Sequence, residues 1–443
     1  MNRLYVVEST VTVTGASADH RLPLRAGEIG RFVVALAAAL GVPGAQGSWP
    51  EHERWIRAVA EDLKAHPGAC AVLAGPNQPP AVHALIHLIN YHLGNVGKTV
   101  VHTEPIEQHG VRYAQELAQL VEELNAGAVE LLVVLDSNPV YTAPQDVGFA
   151  EALARAKLSV HMGLYLDETG SRCDWHVPMT HSLEAWGDVR AYDGTATIVQ
   201  PLIRPLYGGV SPLELLEVLA GGFRTPYEIV RATWQEGFAG QDFEFWWRKS
   251  VHDGVVPDTQ AAPLEVFPVV DAAGLMLPAS SSGDAIEINF RPDPTVADGR
   301  YANNAWLQET PKPITKLTWD NAALVAPALA ERLDLQNGDL CEFHFGGGKL
   351  TAAVWILPGQ PDGAVTQTLG YGRQQAGNVG SGTGFNALRA PEPGGPLVWK
   401  RVDRCAHRQA GTGWSAPSTT IALRGATSSE RGPSRPTWRT LAR

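Results

Sequence analysis

Along the first 165 residues the apolar positions switch between unbroken runs and spacings of three and four. Residues 70–74 form a short continuous apolar run that stops at Gly75, the pattern of a strand buried on both faces. Pro79-Pro80 then opens a helix whose stripe is Val82, Leu85, Ile86, Ile89 and Leu93, closed by Gly94-Asn95. The β-branched run 99–101 predicts a second strand, and 111–124 an amphipathic helix. Residues 131–135 predict a third buried strand, followed by Asp136-Ser137-Asn138-Pro139, a helix from Pro144 and a fourth strand over 158–164. This βαβαβ rhythm predicts an α/β fold on a parallel, doubly wound sheet. Ligands of such sheets lie beyond the carboxyl ends of the strands, where helix N-termini present free amides. The crest here is Gly75-Pro76-Asn77-Gln78, His102-Thr103-Glu104 and Asp136-Ser137-Asn138. None of the three is a G-x-G-x-x-G, so the pattern marks where a nucleotide would sit without identifying one.

Residues 170–300 are rich in Trp, Pro and Gly, with helices expected at 212–220 and 242–249, a loop at 279–283, a strand at 286–290 and a linker over 292–301. From 316 to about 385 the pattern fits a small β-barrel: a strand at 317–319, a helix at 326–333, a turn at Asn337-Gly338-Asp339, and a hairpin of 340–345 with 350–357 around Gly346-Gly347-Gly348. A last strand, 364–369, leads into a Gly-rich run from Gly370 to Gly384. The division is an α/β region over 1–300, a barrel over 301–395 and a tail over 396–443 with no sustained periodicity, expected to be disordered.

With 443 residues and 44% hydrophobic content, the chain has room for two cores. A net charge of −11 argues against a nucleic-acid or anionic-lipid surface, which needs clustered Lys and Arg. The charge is uneven: residues 401–443 carry +6, leaving −17 on the rest. The four cysteines, Cys70, Cys173, Cys341 and Cys405, include no closely spaced pair. An iron–sulfur cluster within this chain is therefore not expected, nor is a disulfide framework. The longest apolar run, 32–42, is about half of what a membrane span needs, and no basic-then-apolar export signal opens the sequence.

His83 and His87 have chelating spacing on one helix, but no zincin glutamate lies between them, so packing or hydrogen bonding is the plainer role. His102, Glu104 and His109 follow a strand end, and Asp174, His176, His181 and Glu184 form a second polar cluster. Such sets hold metals or move protons, but among Trp175, Pro178 and Trp186 satisfied polar residues at a domain junction are the simpler reading. The Gly-rich run lacks the Gly-Lys-Ser/Thr ending of a phosphate loop and reads as tight structural turns. Trp246-Trp247 reads as core or interface. No G-x-S-x-G and no cysteine in a catalytic context is present, so neither catalytic nor metal-ligating residues are assigned.

Longer stretches carry a family resemblance. Asn303-Asn304-Ala305-Trp306-Leu307-Gln308-Glu309-Thr310-Pro311, Trp319-Asp320-Asn321-Ala322-Ala323-Leu324 and His181-Ser182-Leu183-Glu184-Ala185-Trp186-Gly187-Asp188 resemble the molybdopterin oxidoreductase superfamily. Leu93-Gly94-Asn95-Val96-Gly97-Lys98 is similar to its LGNxGK turn, and Asp136-Ser137-Asn138-Pro139 to its strand-end loop near the pterin. Tyr371-Gly372-Arg373, Gly380 and Phe385-Asn386-Ala387 resemble one branch, the molybdopterin-like iron–sulfur subunit of alternative complex III.

That resemblance implies a doubly wound molybdopterin-oxidoreductase-like domain followed by a small, double-psi-like dinucleotide-binding barrel. Gly75, Asn77, Asp136, Asn138 and Glu184 are the positions matching the cofactor side, as contacts or as vestiges of them. It implies a cofactor-free scaffold for electron transfer from quinol to a cytochrome-type acceptor, at the periplasmic face of a bacterial inner membrane. The partners are a quinol-oxidising membrane subunit and cytochrome subunits, with iron–sulfur clusters in a following domain. Two alternatives stand beside it: a fragment of an enzyme that binds molybdopterin guanine dinucleotide, and a non-functional product of a frameshifted gene. Met1 is then expected to be internal to a longer reading frame. Read one nucleotide back, residues 419–431 spell His-His-His-Ser-x-Glu-Gly-Arg-Asp-Leu-Val-Arg-Glu, similar to the segment after the barrel in this family, so the tail is expected to be out of frame.

Overall fold

The computed structural model describes residues 2–106, 113–275, 286–345, 348–389, 400–402 and 404–408. Two strands, β1 (Tyr5–Glu8) and β2 (His20–Pro23), pair in parallel, with Tyr5 opposite His20 and Glu8 opposite Pro23. Helices Ala26–Leu40, Glu53–Ala65 and Pro80–His92 pack against one face of this pair. Their shared core includes Phe32, Leu36, Leu40, Ile56, Val59, Val82, Leu85 and Ile89. The helix Pro80–His92 lies where the apolar stripe and its opening prolines place it.

The expected strand at 70–74 is extended but belongs to no sheet. Cys70, Val72 and Ala74 pack on the helical core, while Leu73 is 81% exposed. One of its edges is held by a side chain: Asn90 Nδ2 donates to the Val72 carbonyl (2.7 Å) and Asn90 Oδ1 accepts from its amide (3.0 Å). The expected strand at 99–101 reduces to a single parallel bridge between Val96 and Val100.

Three further strands, β3 (Leu131–Leu135), β4 (Leu158–Gly163) and β5 (Trp175–Pro178), form a parallel sheet in that order. Helices Tyr113–Asn125 and Phe149–Leu153 bury Val121, Leu124, Phe149 and Leu153 beside it. The first of these helices bears out the stripe expected over 111–124, of which 111–112 lie outside the described residues. β5 is not expected from the sequence, because Trp-His-Val-Pro has neither an unbroken apolar run nor a clean alternation.

A hairpin of β6 (Gly187–Arg190) and β7 (Ala196–Val199) packs against helices Pro212–Leu219, Pro226–Glu236 and Phe243–Asp253. Trp247 is buried here against Phe243, Trp186 and Tyr227, so the Trp pair serves the core.

The C-terminal region is a seven-stranded mixed sheet. It contains β8 (Ile286–Arg291), β9 (Ala323–Val325), β10 (Leu340–Phe345), β11 (Gly348–Ile356), β12 (Ala364–Thr368), β13 (Lys400–Val402) and β14 (Arg404–Arg408). Their spatial order is β13-β8-β12-β9-β11-β10-β14. Ile288, Phe290, Val325, Phe343, Val354 and Val365 fill its core, joined by Tyr141 from the α/β region.

Residues 317–319 do not form the expected strand: Lys316 and Trp319 have φ of 60° and 61°, and the chain folds back so that the Lys312 amide donates to the Leu317 carbonyl. The segment 292–301, expected as a linker, is packed: Asp293 and Val296 are buried, and Asp293 Oδ1 accepts from the Thr295 and Val296 amides. His109, the 279–283 loop, Gly346-Gly347 and residues 409–443 of the tail lie outside the described residues, whereas 400–402 and 404–408 form strands.

Candidate functional site

The carboxyl ends of β3 and β4 bring together an interlocked set of polar groups. Asp136 ends β3 with φ of 44°, and its amide donates to the Met162 carbonyl. Two residues on, Asn138 is fully engaged. Its Nδ2 donates to Glu168 (2.8 Å), and its Oδ1 accepts from the Thr169 amide (3.1 Å) and hydroxyl (2.7 Å). The loop after β4 thus locks onto the loop after β3. Asp167 Oδ1 holds the turn by accepting from the Thr169 and Gly170 amides.

Glu168 is the hinge between this crest and the C-terminal sheet. Its carboxylate takes Arg373 Nη2 at 2.7 Å and Nε at 3.0 Å, and the amides of Gln374 and Gln375 at 2.8 and 3.0 Å. Burial opposes its charge, but the Arg373 fork, the amides and Asn138 outweigh that and hold its pKa down to about 2. Arg373 also donates to the Gly299 carbonyl and lies over the Tyr141 ring at 4.7 Å. Tyr141 Oη donates to the Tyr371 carbonyl, and burial pushes the Tyr141 phenol up. Between these groups lies a cavity of about 280 Å³, bordered by Tyr141, Glu168, Arg172, Gln375 and Asn386.

A histidine pair sits beneath the same crest. His161 is fully buried on β4, and its Nδ1 is 2.9 Å from Nδ1 of His176 on β5. The His161 Nε2 lies 3.2 Å from the Ser137 carbonyl, which only accepts, so Nε2 carries the proton. His161 Nδ1 is then the acceptor and His176 Nδ1 the donor. Asp167 Oδ1 lies 3.6 Å from His161 Nε2, on the far side of the ring from His176. Burial lowers the His176 pKa, with His161 adding to it and Asp167 opposing. Burial raises that of Asp136, against the pull of Arg300 and His161. Asp136, just beyond β3, is shifted up and His176, within β5, is shifted down, and His161 acts on both.

Gly75 and Asn77 border a different space. A cleft of about 1150 Å³ runs between β1 and residues 69–78, floored by Phe32, Val33, Leu36, Val59 and Ile86. A Cβ at Gly75 meets nothing within 4 Å. This cleft is also lined by Arg291, which feels the charge of Glu8, and Asn289, whose buried Oδ1 is unpaired. Glu184 belongs to neither place: its carboxylate accepts from the His181 and Leu206 amides and fastens two loops together.

The polar cluster expected around Asp174 therefore divides. Asp174 caps the Ser159 amide and hydroxyl, His176 joins His161, and His181 stays with Glu184. His87 lies against His102 with ring centroids 5.2 Å apart, and burial lowers its pKa. No group of three or more His, Cys, Asp or Glu residues able to hold a metal occurs among the described residues. Sequence reasoning misses His161, Asp167 and Glu168. The available signals are a histidine inside an otherwise mostly apolar strand and an Asp-Glu-Thr that begins four residues beyond its end.

No protein-family model matches the chain. Over 453 residues it is 24% identical to the menaquinone reductase, molybdopterin-binding-like subunit, of Nitratidesulfovibrio vulgaris, covering 87% of this chain and 62% of that protein. The chain thus spans less than two thirds of that relative's length. Its structure resembles acetylene hydratase from Pelobacter acetylenicus with a TM-score of 0.57 and 14% identity, covering 92% of this chain and 74% of the other, a likeness of fold. Both support the resemblance to the molybdopterin oxidoreductase superfamily.

Proposed function

We propose that this chain is a scaffold portion of a respiratory, quinone-linked oxidoreductase, built on a molybdopterin-oxidoreductase-like fold and free of pterin. The observation that carries this reading is the internal closure of the crest at β3 and β4. Asn138 and Glu168, the groups an incoming nucleotide would meet, are saturated by Thr169, Arg373, Gln374 and Gln375. The cavity left there, about 280 Å³, is at the small end of ligand pockets, which supports a closed crest at this place. The donor set at this crest suits a lock between two lobes better than a cofactor cradle.

A scaffold needs a docking face. Leu183, Leu202, Ile203, Leu206 and Tyr207 are exposed around the turn that Glu184 fastens, Leu202 by 76% and Tyr207 by 90%. Leu202 and Ile203 both donate to the Leu183 carbonyl, which keeps the group together. Such a patch suits a protein neighbour. No helix among the described residues is long and apolar enough to cross a membrane. The name of the Nitratidesulfovibrio relative supports a quinone-linked complex. Within that class we assign the chain to the alternative complex III type: its C-terminal sheet is the double-psi-like barrel, its partners a quinol-oxidising membrane subunit and cytochromes, its place the periplasmic face, and its clusters lie in a following domain.

A second reading, a fragment that binds molybdopterin guanine dinucleotide, draws on one observation: Arg291, a cation that suits a phosphate, lines the same cleft as Gly75 and Asn77. Deleting the gene is expected to remove quinol-dependent acceptor reduction from membranes, while a block in molybdopterin synthesis leaves that activity intact. Loss of activity under the pterin block, with fluorescent pterin released from the purified protein, establishes the second reading and overturns the first.

A further inference from the structure

The large cleft has the form of an empty strand position. β1 and β2 make a parallel pair and nothing more, yet parallel sheets occur as larger sheets with helices on both faces. The Leu4 and Glu8 carbonyls of β1 accept from His20 and Leu24, so its even-numbered residues address β2. The amides and carbonyls of Tyr5 and Val7 therefore point the other way, into the cleft.

The opposite wall mirrors this. Val72 addresses Asn90 and the Cys70 carbonyl addresses the Thr99 hydroxyl, which turns the backbone groups of Ala71 and Leu73 towards β1. No hydrogen bond reaches those groups among the described residues. Two free edges thus face each other over an apolar floor of Phe32, Val33, Leu36 and Ile86.

We propose that this cleft seats a β-strand parallel to β1, carried by polypeptide that runs into residue 2. Three observations commit the occupant to that source. Asn2 and Arg3 stand at the rim of the cleft, at the amino end of β1, which is where a crossover from a parallel neighbour must arrive. On the face opposite the three helices, Leu4 and Leu73 are 41% and 81% exposed, and a crossover helix on that face covers them. The Nitratidesulfovibrio relative carries further polypeptide outside the matched stretch, 62% of it being covered. The occupant is accordingly an aliphatic strand of about six residues, ~20 Å long, followed by an amphipathic helix.

Amide hydrogen exchange tests this, comparing the 443-residue chain with the same chain lengthened by the codons immediately upstream in its gene. The lengthened protein is expected to slow exchange at Val7, Ala71 and Leu73 by at least ~100-fold, with the Asp136 amide, already bonded to Met162, unchanged. Equal exchange in both proteins, or an in-frame stop directly upstream, overturns the proposal. Protection that rises with concentration in the unlengthened chain assigns the cleft to a second copy and overturns it too. Independently of the longer protein, Leu73→Cys in the 443-residue chain is expected to react with a maleimide as fast as a free thiol, and slow labelling contradicts the uncovered face on which the crossover helix is placed.

Discussion

Glu168 shows how a single residue can decide between a ligand site and a structural lock. Its folded pKa, about 2, lies below the ordinary 4.5, so its contribution is full above about pH 4.5 and drains away as the pH falls towards 2. The difference corresponds to roughly 3 kcal/mol, which acid titration of urea midpoints measures in the wild type and in Glu168→Gln. The wild type should lose more stability than Glu168→Gln through that window, since the other depressed carboxylates, such as Asp174 and Glu184, titrate in both. Arg373→Met leaves the buried carboxylate without its fork and is expected to cost about 3 kcal/mol at neutral pH. The His161–His176 pair acts at milder acidity. Because the His176 pKa is depressed, folding carries no penalty from it above about 6.5 and an increasing one as the pH falls below that value. An NMR titration should find His176 neutral below the pH at which a free histidine has half charged. His176→Phe, which cannot take the proton, should abolish this part of the pH dependence.

At the scale of elements, the sequence made some features plain and hid others, for identifiable reasons. The helix Pro80–His92 was legible because its stripe, its opening prolines and its closing glycine all agree. β3 and β4 were legible as apolar runs, and their crest residues Asp136 and Asn138 follow from the topology. The run at 70–74 could not reveal that a strand needs neighbours, and on one edge the side chain of Asn90 takes a neighbour's place. Asn90 is buried, donates also to the Ile86 carbonyl, and accepts from Asn95 Nδ2. Asn90→Leu is thus expected to destabilise the protein by about 2–3 kcal/mol and to speed amide exchange at Val72 before any other position in the helical layer. Arg373 stands in a family-like motif, but its partner Glu168 lies 205 positions away, and no periodicity reports a pairing at that distance. Nor does it report the division of the Asp174 cluster, which depends on loop conformation.

Across the whole molecule, the α/β region and the C-terminal sheet meet through several buried polar contacts. Tyr141 enters the sheet's core and bonds the Tyr371 carbonyl, Thr10 and the Ser9 carbonyl meet Gln360, and Glu287 accepts from the Gly27 amide at the start of helix Ala26–Leu40. Contacts of this kind make two lobes unfold together, because each loses buried partners when the other opens. That rigidity is what the scaffold role proposed above requires, since redox centres need fixed spacing. The expected result is one urea transition, coincident by tryptophan fluorescence and by far-ultraviolet circular dichroism. Tyr141→Ala should separate it into two, because the change opens a hole in the sheet core and removes the bond to Tyr371. Tyr141→Phe keeps the ring and loses only the hydroxyl, so its transition should stay single and shift by about 1 kcal/mol. Two transitions in the wild type would mean that the lobes move independently, and the lock at Glu168 and Arg373 would then be a clasp that opens.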